Sequence, residues 1–159
     1  MNSDKFFPLN QLKEILDEHK TRKQTIALAN GGFDLIHIGH VRYLKDAKKT
    51  ANILVVALNS DHSLKRLKGE DRAVLDEVSR IRIISSFECV DYVTIFDEPT
   101  VDHVLLTLKP DFQCKGSDYT PETVPERKTV QSYGGKVVIV GGDKIRSTST
   151  ILKSIQVKN

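Results

Sequence analysis

Thr25-Ile26-Ala27-Leu28-Ala29-Asn30-Gly31-Gly32-Phe33-Asp34-Leu35-Ile36-His37-Ile38-Gly39-His40 is the stretch that decides the fold. Thr25 to Ala29 is a short apolar run without polar alternation, stopped by Asn30-Gly31-Gly32. Such a run reads as a strand buried on both faces. From His40 the apolar positions Val41, Leu44 and Ala47 recur at helical spacing as far as Thr50. A buried strand, a glycine-rich turn and a helix follow one another directly, which is the opening of an α/β unit.

The same alternation continues outward. Strands are expected at Ile53–Leu58, Tyr92–Ile95, Asp111–Lys115 and Lys136–Val140. Helices are expected from an Asp61 cap through Leu67, over Asp76–Ser86, over Thr100–Leu108 with Pro110 ending it, over Pro121–Tyr133, and from Ser147 to Ile155. Before the first strand, Leu12, Ile15 and Leu16 mark a short amphipathic helix behind a possible Asn10 cap. Five apolar strands alternating with helices imply a Rossmann-like, doubly wound five-stranded parallel sheet. Residues 1–24 read as an N-terminal helical extension and 25–159 as one domain. Ligands of such sheets bind beyond the carboxyl ends of the strands. The loops of interest are therefore Asn30–His40, Asn59–Asp61, Gly116–Tyr119 and Gly141–Ser147.

Composition excludes several classes. At 159 residues the chain is the size of one domain with a real core. The longest fully apolar run, Ile53–Leu58, is far too short to span a bilayer. Met1 to Pro8 holds no sustained apolar region of a signal peptide. The net charge of +3 is mild and suits an anionic small substrate, with no case for a nucleic-acid partner. Cys89 and Cys114 lie far apart and in no metal spacing, as expected of buried thiols in a reducing compartment.

Two common phosphate motifs are missing. No G-x-G-x-x-G follows the first strand, and Gly134-Gly135-Lys136 runs into Val137, so it is no Walker A. In their place, His37 and His40 stand three apart at the mouth of a helix with Gly39 between them. A helix N-terminus presents unpaired N–H groups and a partial positive charge, Gly39 lets a phosphate approach the backbone, and each imidazole adds a directed donor. Together they make an anion cradle suited to a triphosphate. The same two histidines could also be metal ligands lacking a third partner, or incidental surface residues.

Gly32-Phe33-Asp34 followed by His37-Ile38-Gly39-His40 resembles the signature of the cytidylyltransferase-like nucleotidyltransferase superfamily. The resemblance extends from about Thr25 to Ile155. It implies catalytic roles for His37, His40 and Lys68. It implies nucleotide contacts by Gly31, Gly32, Phe33, Asp34, Gly39, Asn59 and Asp61, and by Lys115, Gly116 and Asp118 after the fourth strand. Ser147-Thr148-Ser149 resembles the family's second nucleotide motif, which holds the β- and γ-phosphates. Lys65, Arg72 and Arg80 resemble the basic segment that meets the substrate phosphates.

Within the superfamily, the R-T-E-G half of the glycerol-phosphate cytidylyltransferase motif is absent before Ser147. Lys115 to Glu122, Tyr133 to Val138, and Arg66-Leu67-Lys68-Gly69 with Arg72 look instead like the adenylyltransferase half of the bacterial ADP-heptose synthases. Arg146 departs from that pattern, where a small or apolar residue is usual. The resemblance implies a cytoplasmic, stand-alone adenylyltransferase that joins ATP to D-glycero-D-manno-heptose 1-phosphate and releases pyrophosphate. It further implies magnesium (Mg2+) bridging the phosphates without direct protein ligands, a homodimer, no membrane partner, and a separate sugar kinase upstream. A cytidylyltransferase for glycerol 3-phosphate or a similar polyol or amino-alcohol phosphate, and a nucleotide-binding module without turnover, are the alternatives.

Overall fold

The computed structural model describes residues 4–142 and 153–154. In chain order it holds α1 (Leu9–Thr21), β1 (Ile26–Gly31), α2 (Ile38–Lys49), β2 (Ile53–Asn59), α3 (Asp61–Lys68), α4 (Glu77–Ser85), β3 (Tyr92–Phe96), α5 (Asp102–Leu108), β4 (Phe112–Gly116), α6 (Arg127–Ser132) and β5 (Lys136–Val140). The five strands form one sheet in the order β3-β2-β1-β4-β5, with every pairing parallel. The Rossmann-like reading of the sequence is therefore the observed architecture. Register follows the apolar runs: Ile26 pairs Ile53, Leu28 pairs Val55, and Val56 pairs Val93. The chain runs from β1 to β2 and β3 on one side, then crosses back to β4 and β5 on the other. The strand order thus reverses between β1 and β4, and the crevice at their carboxyl ends is where ligands of this fold bind.

Each face of the sheet has its own core. On one face Ala27, Ala29, Leu54, Val56 and Leu58 pack with Leu44 and Ala47 of α2 and with Ile81 and Ile84 of α4. On the other, Ile26, Leu28, Val55 and Ala57 pack with Leu12 and Leu16 of α1, Val104 and Leu105 of α5, and Val130 of α6. Alternate residues of one strand thus serve opposite layers, which is why the strands carry no polar alternation. The segment before β1 is knitted into this body. Lys5 and Phe7 exchange backbone hydrogen bonds with Val93 along the outer edge of β3, which leaves less of that edge open to other chains.

Several boundaries differ from the sequence expectation for physical reasons. The helix expected over Pro121–Tyr133 exists only from Arg127, because Pro125 cannot donate within a helix and clashes with the preceding turn. Residues 120–123 form a turn instead, closed by Thr123 N–H on the Thr120 carbonyl. The cap of α3 is Ser60, whose hydroxyl accepts Ser63 N–H, and Asp61 is the first helical residue. Likewise α1 starts at Leu9 behind Pro8, not after Asn10. Strand β1 reaches Gly31, two residues beyond the apolar run. The helix expected from Ser147 to Ile155 lies largely outside the described residues, which include only Lys153 and Ser154 of it, both helical.

Candidate active site

At the end of β1 the chain turns sharply enough to put Phe33 in the left-handed region, φ 47°. A non-glycine residue there costs about 1–3 kcal/mol. Burial of the ring offsets it: Phe33 is 5% exposed, stacks on Tyr43 at 6.2 Å and lies 5.2 Å from the His40 ring, tilted by 46°. Gly32 is glycine because α3 crowds it; a Cβ there would lie 2.7 Å from Leu64 Cδ1. These contacts fix the direction in which the loop enters α2.

The entry to α2 is capped by its own histidines. Gly39 N–H donates to His37 Nδ1 at 3.1 Å, and His37 N–H points to His40 Nδ1 at 3.4 Å. Each Nδ1 is an acceptor, so each ring carries its proton on Nε2. The rings lie 3.9 Å apart, tilted by 31°. Burial, then the neighbouring His37, then Lys68 hold the His40 imidazole down to about 4, so at neutral pH it is an uncharged donor. The capping arrangement does two things at once: it starts the helix and orients both Nε2–H bonds.

Lys68 ends α3, and Gly69 follows it in a positive-φ conformation. The residue is exposed overall. Even so, withdrawal of water from its ammonium, followed by the charge of Arg72, lowers its pKa, and Asp34 opposes the shift. Arg72 lies inside the loop, with Nε 3.6 Å from Asp34 Oδ2. Asp34 is itself buried, and its Oδ1 accepts Leu75 N–H at 2.9 Å. The role open to Asp34 is thus to pin the loop that follows Lys68, through Arg72 and Leu75, to the histidine loop. Lys65 is exposed on α3.

Arg80 requires a correction. It was expected among the residues meeting substrate phosphate, but its side chain is fully buried. Nη1 donates to the carbonyls of Gly32 and Asn59 at 2.7 and 2.8 Å, Nη2 to Asp61 Oδ1 at 2.7 Å, and Nε to the Leu75 carbonyl at 3.1 Å. These bonds engage all three guanidinium nitrogens on the protein itself. Arg80 therefore fastens the ends of β1 and β2, the start of α3 and the Lys68 loop to one another. Asp61 is committed to the same brace, its N–H also donating to Glu77 Oε2 at 3.0 Å. Asn59 is buried and donates to Ser63 Oγ. Both were expected to contact nucleotide, and the structure gives both internal partners.

On the β4 side of the reversal stand Lys115, Gly116 and Asp118. Lys115 is 8% exposed, 3.2 Å from Glu126 Oε2, and its ammonium lies 5.4 Å from the centre of the Tyr119 ring. Asp118 is on the exposed turn beyond. The sequence reading missed Glu126 and also Gln113, which sits one pleat below Lys115, fully buried, near Asn30 and Glu126. A glutamine and a lysine inside an otherwise apolar strand were the available signal. Ser147, Thr148 and Ser149 lie outside the described residues. Among the described residues no group of three His, Cys, Asp or Glu is placed to hold a metal ion.

Residues 28–157 match the cytidylyltransferase-like family model. The chain belongs to that family of nucleotidyltransferases. Among similar proteins is the bifunctional protein HldE of Geobacter metallireducens, 47% identical over 147 residues, which are 92% of this chain and 30% of that protein. HldE of Syntrophotalea carbinolica is 44% identical over 144 residues, 91% of this chain and 29% of that protein. The chain thus spans about 30% of the length of these relatives. A solved lipopolysaccharide core biosynthesis protein from Thermoplasma volcanium matches with a TM-score of 0.66 at 30% identity, covering 77% of this chain and 99% of that one. Pantoate-beta-alanine ligase from Francisella tularensis, at 16% identity and TM-score 0.65, shares the fold. No helix among the described residues is long and apolar enough to cross a membrane.

Proposed function

We propose that this chain transfers the adenylyl group of ATP to a sugar 1-phosphate, D-glycero-D-manno-heptose 1-phosphate, and releases pyrophosphate. The observation that carries this reading is the pair of histidines whose Nδ1 atoms are both engaged at the N-terminus of α2. Their Nε2–H groups, with the His40 ring uncharged, are donors at an anion-favouring helix end. The heptose and adenine assignments rest on the resemblance of Lys115 to Glu122 and of the Lys68 segment to ADP-heptose synthases. The HldE relatives and the lipopolysaccharide core neighbour support them.

In this reading a phosphate oxygen of the sugar phosphate attacks the α-phosphorus of ATP in line. The bond from that phosphorus to the bridging oxygen breaks, and the electron pair leaves on pyrophosphate. The nucleophile is already an anion, so no base is required. Catalysis is alignment plus stabilisation of charge on the phosphate oxygens. His37 and His40 donate to oxygens of the α- and β-phosphates. Lys68 holds the two reacting phosphates against their repulsion, with Arg72 and Asp34 setting its loop. Ser147, Thr148 and Ser149 receive the departing pyrophosphate. A magnesium ion bound with the triphosphate would supply further neutralisation of its charge, without direct protein ligands. The site is cytoplasmic in this reading, and the enzyme is a homodimer fed by a separate sugar kinase.

The test is a pyrophosphate-release matrix of ATP, CTP, GTP and UTP against heptose 1-phosphate, glucose 1-phosphate and glycerol 3-phosphate. The highest kcat/KM is expected for ATP with heptose 1-phosphate. Preference for CTP with glycerol 3-phosphate would replace both substrates within the same chemistry. ATP binding without pyrophosphate release from any pair would leave only a binding module.

A further inference from the structure

Two lysines flank the crevice, and their charges are treated differently. Lys68 ends α3, the helix after β2, and of its charged neighbours the cation Arg72 outweighs the carboxylate of Asp34. Lys115 lies near the carboxyl end of β4, beside β1, and is matched by Glu126 at 3.2 and 3.4 Å in surroundings where both side chains are about nine-tenths buried. A buried pair this close has little net field to offer a phosphate, while its remaining donor and acceptor positions still demand partners. Next to it the Nε2 of Gln113 lies 3.5 Å from both Asn30 Oδ1 and Glu126 Oε2, and the buried Oε1 of Gln113 meets no donor among the described residues. The β4 side of the crevice is therefore polar, close to neutral and incompletely satisfied. That is the chemistry of a site for uncharged hydroxyl, amine or ring-nitrogen groups, bordered by the Tyr119 ring.

We propose that Glu126 is a positioning residue that holds Lys115 as a charge-neutralised hydrogen-bond donor for the uncharged nucleoside part of the nucleotide, leaving phosphate recognition to the Lys68 side. The proposal rests on the nucleotidyltransferase reading and adds to it a division of labour that the lysine-rich sequence does not express. Glu126→Gln removes the carboxylate charge and keeps the shape. It leaves Lys115 as an uncompensated cation, which weakens its fit to a neutral partner and makes the β4 side attractive to anions.

The experiment measures binding of ATP, adenosine and inorganic tripolyphosphate by calorimetry, and KM for both substrates where turnover is present. Wild type, Glu126→Gln, Glu126→Asp and Lys115→Met are compared. Glu126→Gln and Lys115→Met are expected to weaken ATP and adenosine about tenfold. Tripolyphosphate should bind Lys115→Met as it binds wild type and Glu126→Gln as tightly or more tightly, and the KM loss should fall on ATP and not on the sugar phosphate. Glu126→Asp, which keeps the charge, should lie between. Should Glu126→Gln fail to fold, the double variant Lys115→Met with Glu126→Leu removes both charges together and should lose adenosine while retaining tripolyphosphate. Parallel losses for ATP and tripolyphosphate, or unchanged adenosine binding, overturn the proposal. A wild-type chain that binds ATP but releases no pyrophosphate defeats the transferase reading alone, because the binding measurements still decide the role of Glu126.

Discussion

The end of α3 and the first half of α4 each bring a cation to the mouth of the crevice, and the two cations live in opposite surroundings. Lys68 is exposed, and its pKa responds to burial and to neighbouring charges rather than to any hydrogen-bond partner. Arg80 is fully buried and engages three backbone carbonyls and one carboxylate. A fully buried cation with four of its five N–H donors on the protein is turned inward, whereas an exposed one with no hydrogen-bond partner among the described residues stays accessible to a solute. The comparison separates support from chemistry within a single basic stretch. Asp34 belongs with Arg80, since Leu75 is gripped at its N–H by the first and at its carbonyl by the second.

The sharpest way to break the comparison is Arg80→Met. Removing the guanidinium leaves three carbonyls and the partly exposed Asp61 carboxylate without their donor, and the expected loss is about 3 kcal/mol of unfolding free energy. Denaturant melts check it. Full stability with a raised KM for sugar phosphate would return Arg80 to the substrate. Next come His37→Ala and His40→Ala, each expected to lower kcat by about 10²–10³-fold, with ATP affinity much less affected. Zinc-restorable activity would instead make them metal ligands, and rates within a few-fold of wild type would make them surface residues.

Lys68→Ala should have a smaller effect, about ten- to a hundredfold in kcat/KM for the sugar phosphate, the worth of one charge-assisted hydrogen bond. Its melting curve should stay close to wild type, in contrast to Arg80→Met. Normal kinetics would demote Lys68 to an ordinary surface charge. The mildest test is titration. His40 is depressed to about 4 in the folded chain, below its ordinary 6.5. Its neutral form therefore contributes stability that is fully present above pH 6.5 and is lost as pH falls towards 4. An NMR titration of the His40 ring should show its midpoint near 4. A midpoint near 6.5 would mean that the ring is solvated and the cap loose.

Much of the site is legible in the sequence because its signals are local. The glycine turn, the two histidines and the helix start lie within eleven residues, Asn30 to His40, and the capping box uses the same residues. The burial of Arg80 was not legible because its partners come from the turn after β1, from β2, from α3 and from the loop before α4, and nothing in the sequence says that these meet. Glu126 escaped because it sits eleven residues from Lys115, in a stretch whose acidic and basic residues resemble a solvated helix until Pro125 stops that helix from forming.

The sequence by itself determined the layer architecture, since runs such as Ile53–Leu58 are too short for a membrane and too uniformly apolar for a half-exposed strand. It also determined that His37 and His40 stand together at the start of α2, since residues three apart need only a helix start to meet. Only the tertiary structure decided which charges are spent and which are available. That property depends on desolvation and on partners brought together across the sheet, from as far apart as Gly32 and Arg80.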